Sequence, residues 1–391
     1  MKKGIYRWAL GWIGICAVIS ILAPIIATQT PWRIIYNNQN YYPLVYDLTG
    51  WGRVIPDASL QLDWHQLGQE NLWMAPISFD PTRPDHSESE TNSKHWLGKD
   101  EAGRDIASQL IHGTRTALGI GIGACLISVF LGLILGGLAG YLGDRGWMAS
   151  RAQLLLGIFG MLLGIFYIFF TPFLTLLELD VPWILNGLLS VGIFTVFPIL
   201  GIKFANVFHY FPFWKKTIHI PIDFIISRLI EIKHAFPTLF LVLAIMAIIP
   251  GGEGWLAIIL GITGWTPFAR LIRAEMLQIK TLDYMTAGKA LGYSPGRLLF
   301  KHAIPNALGP VWSMVGFSIA GAILAESALS FIRDDPDQIS WGAILASARH
   351  HPEAWGLAVW PGLALFFTLY AFQLLGEAAR NKWNPRMRNI P

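Results

Sequence analysis

The side chains able to do chemistry are few in this chain of 391 residues, and they do not converge. His350 and His351 offer two adjacent imidazoles, but no further ligand spacing supports a metal there. Cys16 and Cys125 lie far apart, each inside an apolar run, and read as small apolar side chains. Neither a His-Glu-x-x-His helix nor a Gly-x-x-x-x-Gly-Lys-Ser/Thr loop is present, so the chain lacks both the zinc-hydrolase pattern and the loop that cradles ATP phosphates. No Ser or Asp stands out as a nucleophile within a glycine-rich motif. The expectation is a protein that is not an enzyme and carries no metal and no cofactor of its own. The ionisable groups near apolar runs are Glu326, the Arg104-Asp105 pair, and Glu231, Lys233 and His234 with Arg228 one turn earlier. Structural anchoring is the expected role of each.

One polar stretch has a sharper pattern. Between Arg270 and Ile304 there are six basic residues (Arg270, Arg273, Lys280, Lys289, Arg297, Lys301) and two acidic ones. Leu282 to Leu291 has good helix formers and no internal Pro, and Gly292 follows where a helix would stop. The spacing predicts a short helix outside the apolar phase, whose small residues Ala287 and Gly288 let another backbone approach closely. Pro305 is expected in the first turn of the next helix, where a missing N–H costs least.

The elements that must hold this stretch are apolar. Hydrophobic residues make up 53% of the chain and charged residues 14%, against roughly a quarter charged in an ordinary soluble domain. The apolar residues gather into eight runs: Trp8 to Ala27, Ala117 to Tyr141, Leu154 to Leu177, Trp183 to Gly201, Ala235 to Ile249, Trp255 to Ala269, Ala307 to Ala325 and Trp355 to Leu375. Runs of this length suit helices crossing a hydrocarbon layer about 30 Å thick. The first run is long for a signal peptide and lacks a convincing cleavage site, so an uncleaved first helix over residues 1–28 is expected. With Lys2, Lys3 and Arg7 inside, each later basic cluster also falls inside, which predicts that both termini are cytoplasmic. The net charge of +4 sits beside apolar runs and reads as membrane topology, not as affinity for nucleic acid. Residues 29–95 are polar, with eight acidic and four basic side chains, and suit an external loop.

Asp283-Tyr284-Met285-Thr286-Ala287-Gly288-Lys289-Ala290-Leu291-Gly292, continuing to His302-Ala303-Ile304-Pro305, resembles the coupling-loop signature of bacterial ABC importer permeases. That signature reads Glu-Ala-Ala, three residues, Gly, nine residues, Ile-x-Leu-Pro. Ala287, Gly292 and Pro305 agree with it in an ungapped register, whereas Thr286, Gly288, His302 and Ile304 depart from it. Leu97-Gly98-Lys99-Asp100-Glu101-Ala102-Gly103-Arg104-Asp105 resembles the segment before the second spanning helix of oligopeptide-permease C-type subunits. Arg228 to Glu231 with Ala235-Phe236-Pro237, Trp265 to Ala274, Glu326 to Phe331, Ser340-Trp341-Gly342 and Pro361-Gly362 continue the resemblance in order. It covers Trp96 to about Arg388, interrupted from Gly146 to about Pro221. The interruption holds two extra apolar runs and the aromatic, basic stretch His209 to Lys216, with an interfacial helix expected over residues 208–222.

The resemblance implies an all-α, polytopic fold: a type I ABC importer permease core of about six helices plus an inserted helical hairpin, so about eight spans. It implies that residues 96–388 form the transmembrane domain, with the insertion at about 146–221. It further implies a second permease subunit, two cytoplasmic ATPase subunits that bind the ATP, and an external binding protein, all on a lipid membrane. Asp283, Thr286, Ala287, Gly288, Gly292 and Pro305 would couple to the ATPases, and Gly98, Asp100, Gly103, Arg104 and Asp105 would form an outer motif. Peptides are the expected cargo, with nickel or another small solute as the alternative. A rival reading, an ion-coupled secondary transporter, predicts repeated halves, and no such repeat is found.

Overall fold

The computed structural model describes residues 2–36, 39–49, 72–84, 95–144, 146–175, 216–248, 252–333, 335 and 338–383, together with the isolated positions Gly192, Val196, Ile199, Leu200, Lys203 and Trp214. They form two compact units, Leu138–Leu229 and the remainder, Met1–Gly137 with Ile230–Pro391. Helix dominates both. Among the described residues, four helices are long and apolar enough to cross a membrane: Gly4–Ile26, Ile106–Leu142, Pro295–Arg333 and Gly356–Asn381. We label α1 Lys2–Ile26, α2 Pro43–Thr49, α3 Ile106–Leu142 and α4 Arg151–Thr175. There follow α5 Ile222–Ala235, α6 Thr238–Ile248, α7 Glu253–Gly264, α8 Thr266–Ile279 and α9 Asp283–Ala290. The last three are α10 Ile304–Arg333, α11 Trp341–Ser347 and α12 Gly356–Trp383.

Two of the expected spans are not single helices. The run Ala235 to Ile249 is divided between α5 and α6, which meet at an 86° bend. Pro237 supplies no N–H and biases Phe236 away from helix, so the coil breaks there. The 11 residues of α6 rise only about 17 Å, short of the roughly 30 Å of a hydrocarbon layer. The run from Trp255 is likewise divided, with α7 and α8 bent by 40° at Trp265, just before Pro267. Counting each bent pair as one, up to six spans are found among the described residues. The first limb of the expected hairpin is α4; the run from Trp183 lies outside the described residues except for Gly192, Val196, Ile199 and Leu200. The interfacial helix expected over residues 208–222 is not borne out where the chain is described: Thr217–His219 form a strand paired with Met148–Ser150, and α5 begins only at Ile222, while residues 208–213 and 215 lie outside the described residues.

In the larger unit, glycines let helices approach backbone to backbone. A Cβ at Gly316 of α10 would meet the carbonyl of Phe372 and the amide of Gly376 on α12, so no other residue fits that crossing. Gly132 and Gly136 of α3 likewise abut Phe268 and Ala269 of α8, a small-x-x-x-small spacing of the kind that drives helix association in lipid. An apolar cluster joins Ile120 and Ala124 on α3, Val242 and Met246 on α6, Leu256, Ile259 and Leu260 on α7, and Leu329 on α10. α1 packs on α12 through aromatic residues, with Trp8 and Trp12 against Phe367 and the Trp12 indole donating to Thr368 at 3.1 Å. The described part of the 29–95 segment includes a small antiparallel sheet in which β1 (Arg33–Tyr36) is flanked by β2 (Gln39–Tyr41) and β3 (Leu72–Trp73).

The smaller unit contains α4 and an antiparallel pair, β4 (Met148–Ser150) with β5 (Thr217–His219), in which Ala149 faces Ile218. Asp144 Oδ1 accepts the amide of Phe224 at 3.0 Å and so satisfies an otherwise unpaired donor in the first turn of α5.

Candidate functional site

The stretch expected to form a short helix does so as α9. Asp283 stands in its first turn and Lys289 in its last, each charge complementing the helix dipole. The end is a Schellman closure: Tyr293 N–H reaches Gly288 O at 3.0 Å, and Gly292 N–H reaches Lys289 O at 3.0 Å. Gly292 has φ +77°, a left-handed conformation in which a Cβ is penalised. Ser294 then caps the next turn, its hydroxyl accepting from Arg297 N at 3.3 Å, with Pro295 as the first helical residue.

α9 has two unlike faces. Met285 and Gly288 point inward and are buried; a Cβ on Gly288 would lie 2.7 Å from Leu298 Cδ2 and 3.4 Å from Tyr293 Cδ2. Ala287 and Leu291 point outward, Leu291 being 73% exposed, and Tyr284 lies at the edge between the two faces. The Tyr284 hydroxyl accepts from Asn306 Nδ2 at 3.0 Å, and the same amide nitrogen donates to His302 O at 2.9 Å. The helix is therefore pinned to the base of α10 by one apolar contact and one polar one. Thr286 turns its hydroxyl back onto Asp283 O at 2.8 Å.

Pro305 is the second residue of α10, in its first α-helical turn as expected, but the helical path begins earlier. The coil starts at Pro295 and runs to Arg333, with a π-helical segment over Leu298–Ala303. Ile304 N–H bonds to Leu299 O, five residues back, and Pro305 has no N–H to give. The wider turn absorbs the missing donor and the ring, which lets the helix pass through the proline without stopping. Tyr293 stacks on His302 and lies under the Arg297 guanidinium at 4.2 Å, closing the corner between α9 and this helix.

At the other end of the unit, Gly98, Asp100, Gly103, Arg104 and Asp105 come together as a closed loop on the start of α3. Gly98 and Gly103 have φ of +91° and +79°. Asp100 accepts from Arg104 N and Nε at 2.8 and 2.7 Å and from Gln109 Nε2 at 2.7 Å. Asp105, 1% exposed, is the N-cap of α3: its Oδ1 accepts from Ser108 N at 2.6 Å, and its Oδ2 pairs with His95 Nδ1 at 2.7 Å. The His95 ring stacks on Phe79. Beside the loop, His351 pairs with Glu101 and Glu353. The Glu353 carboxyl is held below its ordinary range by its own backbone amide and by the His351 ring.

Sequence reasoning missed Asn306, Gln109 and His95, which complete these two arrangements. Asn306 directly follows Pro305, and a polar side chain beside a proline in an apolar run is the signal that could have found it. Farther out, the buried Glu326 of α10 accepts from Ser330 at 2.8 Å and Ser327 at 3.1 Å, and so is an anchored carboxyl.

Residues 217–389 match the family model described as binding-protein-dependent transport system inner membrane component. The chain is 26% identical over 301 residues to the dipeptide transport system permease protein DppC of Bacillus subtilis (strain 168), covering 76% of this chain and 70% of that protein. It is 27% identical over 301 residues to the glutathione transport system permease protein GsiD of Pectobacterium atrosepticum, covering 76% and 75%. Over 97% of this chain and 92% of the relative, it is 23% identical to the inner membrane ABC transporter permease protein YejE of Escherichia coli (strain K12).

Proposed function

We propose that the chain, whose residues 217–389 match the model for binding-protein-dependent transport inner-membrane components, is a member of that family and one of two permease subunits of an ATP-driven peptide importer. Its relatives named for dipeptide and glutathione transport support peptides as the cargo. In this reading, residues 1–28 form a first span with a cytoplasmic N-terminus, residues 29–95 lie outside, and residues 96–388 form the transmembrane domain with an insertion at about 146–221. The second permease completes the pathway, two cytoplasmic ATPases bind the ATP, and an external protein delivers substrate to the side carrying the Gly98 to Asp105 loop.

One observation carries the coupling role: α9 is docked on the root of a spanning helix by Gly288, Met285 and Tyr284, while Ala287 and Leu291 stay uncovered on its other face. The exposed face of small and apolar residues suits insertion into a cleft on an ATPase. The docked face passes its displacement to the Pro295–Arg333 helix. When nucleotide closes the ATPases, α9 moves as a rigid lever and biases the spanning helices between inward- and outward-facing states. Thr286, whose hydroxyl is taken by its own helix, is spared from any essential polar contact.

The test replaces Ala287 with Trp in the complete importer. The Ala287→Trp subunit is expected in the membrane at normal abundance, with peptide uptake lost and ATP hydrolysis no longer dependent on substrate. Gly292→Val, strained at φ +77°, should give a milder form of the same defect. Unchanged uptake in both variants would overturn the assignment.

A further inference from the structure

Opposite charges face one small cavity at the junction of α6, α7 and the end of α10, and two of them, Glu253 and Arg333, keep hydrogen-bonding groups unused among the described residues. The cavity measures about 190 Å³ and has Glu253, Arg333, Asp335 and Gln338 around it and Met246 and Leu256 beneath. Glu253 Oε1 lies 2.8 Å from Thr116 Oγ1 of α3, whose single hydroxyl proton is shared with the Ile339 carbonyl at 2.9 Å, while Oε2 has no partner among the described residues. Arg333 gives one guanidinium nitrogen to Asp335 Oδ2 at 3.3 Å, in a pair about one-third exposed on each side, and its remaining N–H groups are unused among the described residues. Met246 and Leu256 are 9% and 2% exposed and belong to the apolar cluster, so the floor is rigid.

We propose that this cavity is a transient binding site for the charged ends of a short zwitterionic peptide: the ammonium lies against Glu253 and Asp335, the carboxylate against Arg333, and a small side chain on the Met246–Leu256 floor. The inference rests on the importer reading above and deepens it by naming a cargo-selective site. Three features favour such a ligand. A ligand of single charge would leave one wall of the cavity unmatched, whereas a zwitterion meets both signs with charge-assisted hydrogen bonds. The volume lies below the roughly 300 Å³ at which ligand pockets usually begin, so it admits the ends of a short peptide and not a long chain. The binding groups come from three elements and include the tip of the Pro295–Arg333 helix, whose opposite end carries the corner with α9.

The purified importer, with its second permease and ATPases but without external binding protein, is titrated in lipid nanodiscs with radiolabelled alanyl-alanine, N-acetyl-alanyl-alanine and alanyl-alanine amide. The free dipeptide is expected to bind about tenfold more tightly than either blocked form, the effect of one charge-assisted bond. Arg333→Gln should abolish the preference over the amide and retain that over the acetyl form; Glu253→Gln should do the reverse. The retained preference shows that each variant is folded, and Arg333→Lys, which keeps the charge, should restore most of the lost one. Equal binding of the three ligands, no binding, or preferences untouched by either substitution overturns the site. ATP-driven dipeptide uptake by the wild-type complex with its binding protein reads the importer assignment separately. Uptake without end-group selectivity at this chain would remove the site alone; selective binding without uptake would remove the importer reading alone.

Discussion

Gly288→Val tests the packing of α9 most directly. A Cβ at this position would lie 2.7 Å from Leu298 Cδ2, well inside van der Waals contact, and Leu298 is itself 2% exposed and cannot swing into solvent. Overpacking of this kind costs about 1–3 kcal/mol. Against it stands helix propensity, since replacing an interior glycine gains up to about 1 kcal/mol with Ala and less with β-branched Val. The two terms nearly offset for Gly288→Ala, which should be close to neutral. For Gly288→Val the added methyls enlarge the clash and the propensity gain shrinks, so steric repulsion wins by about 1–2 kcal/mol. A loss of 1.4 kcal/mol is a tenfold change in the docking equilibrium. Amide exchange across Met285 to Ala290, measured in the assembled importer, should accelerate by about that factor, and ATP consumed per peptide delivered should rise while the subunit stays in the membrane. Wild-type exchange and stoichiometry in Gly288→Val would show that α9 is not held by this contact and would refute the lever argument at its root.

Two further expectations concern stability. Asp105→Ala removes the cap of α3 and leaves His95 without its carboxylate, and should destabilise the larger unit by about 2 kcal/mol, read as a lowered melting temperature of the purified subunit; an unchanged melt would show that the loop is not an anchor. Gly316→Val puts a side chain where the Phe372 carbonyl and Gly376 amide already lie, so α10 and α12 must separate, and little folded protein should be recovered from the membrane; normal yield would contradict the backbone-to-backbone crossing.

The apolar runs marked most of the spans because length and hydropathy alone decide what can sit in hydrocarbon: α3 and α10 contain their expected runs, and α1 and α12 contain all but one residue of theirs. The two divided spans were less legible. Hydropathy is blind to direction, and only the local restriction at Phe236-Pro237 and at Trp265 through Pro267 makes the chain turn. The α9 helix could be read from its formers and its terminal glycine, because the Schellman closure is a local device. Pro305 could be placed in the first turn of α10, but the π-helical segment before it could not: a proline in a free first turn and a proline behind a widened turn leave the same mark in the sequence. The partners of the outer loop, His95, Gln109 and Phe79, were not legible, since their pairing with Asp105, Asp100 and one another depends on the return path of the chain.

The widened turn at Leu298–Ala303 places an additional residue in what is otherwise a regular coil. Removing one residue there would let the hydrogen-bond ladder return to a four-residue step, and everything on its α9 side would rotate by about 100° about the axis, the angle of a single helical residue. Tyr284 and Asn306 would then face different directions, and the glycine face of α9 would turn to where Ala287 and Leu291 now stand. The phase of the shaft, and not only its length, is thus written into six residues, and, on the lever role proposed above, a one-codon deletion should disconnect engine from gate without touching either.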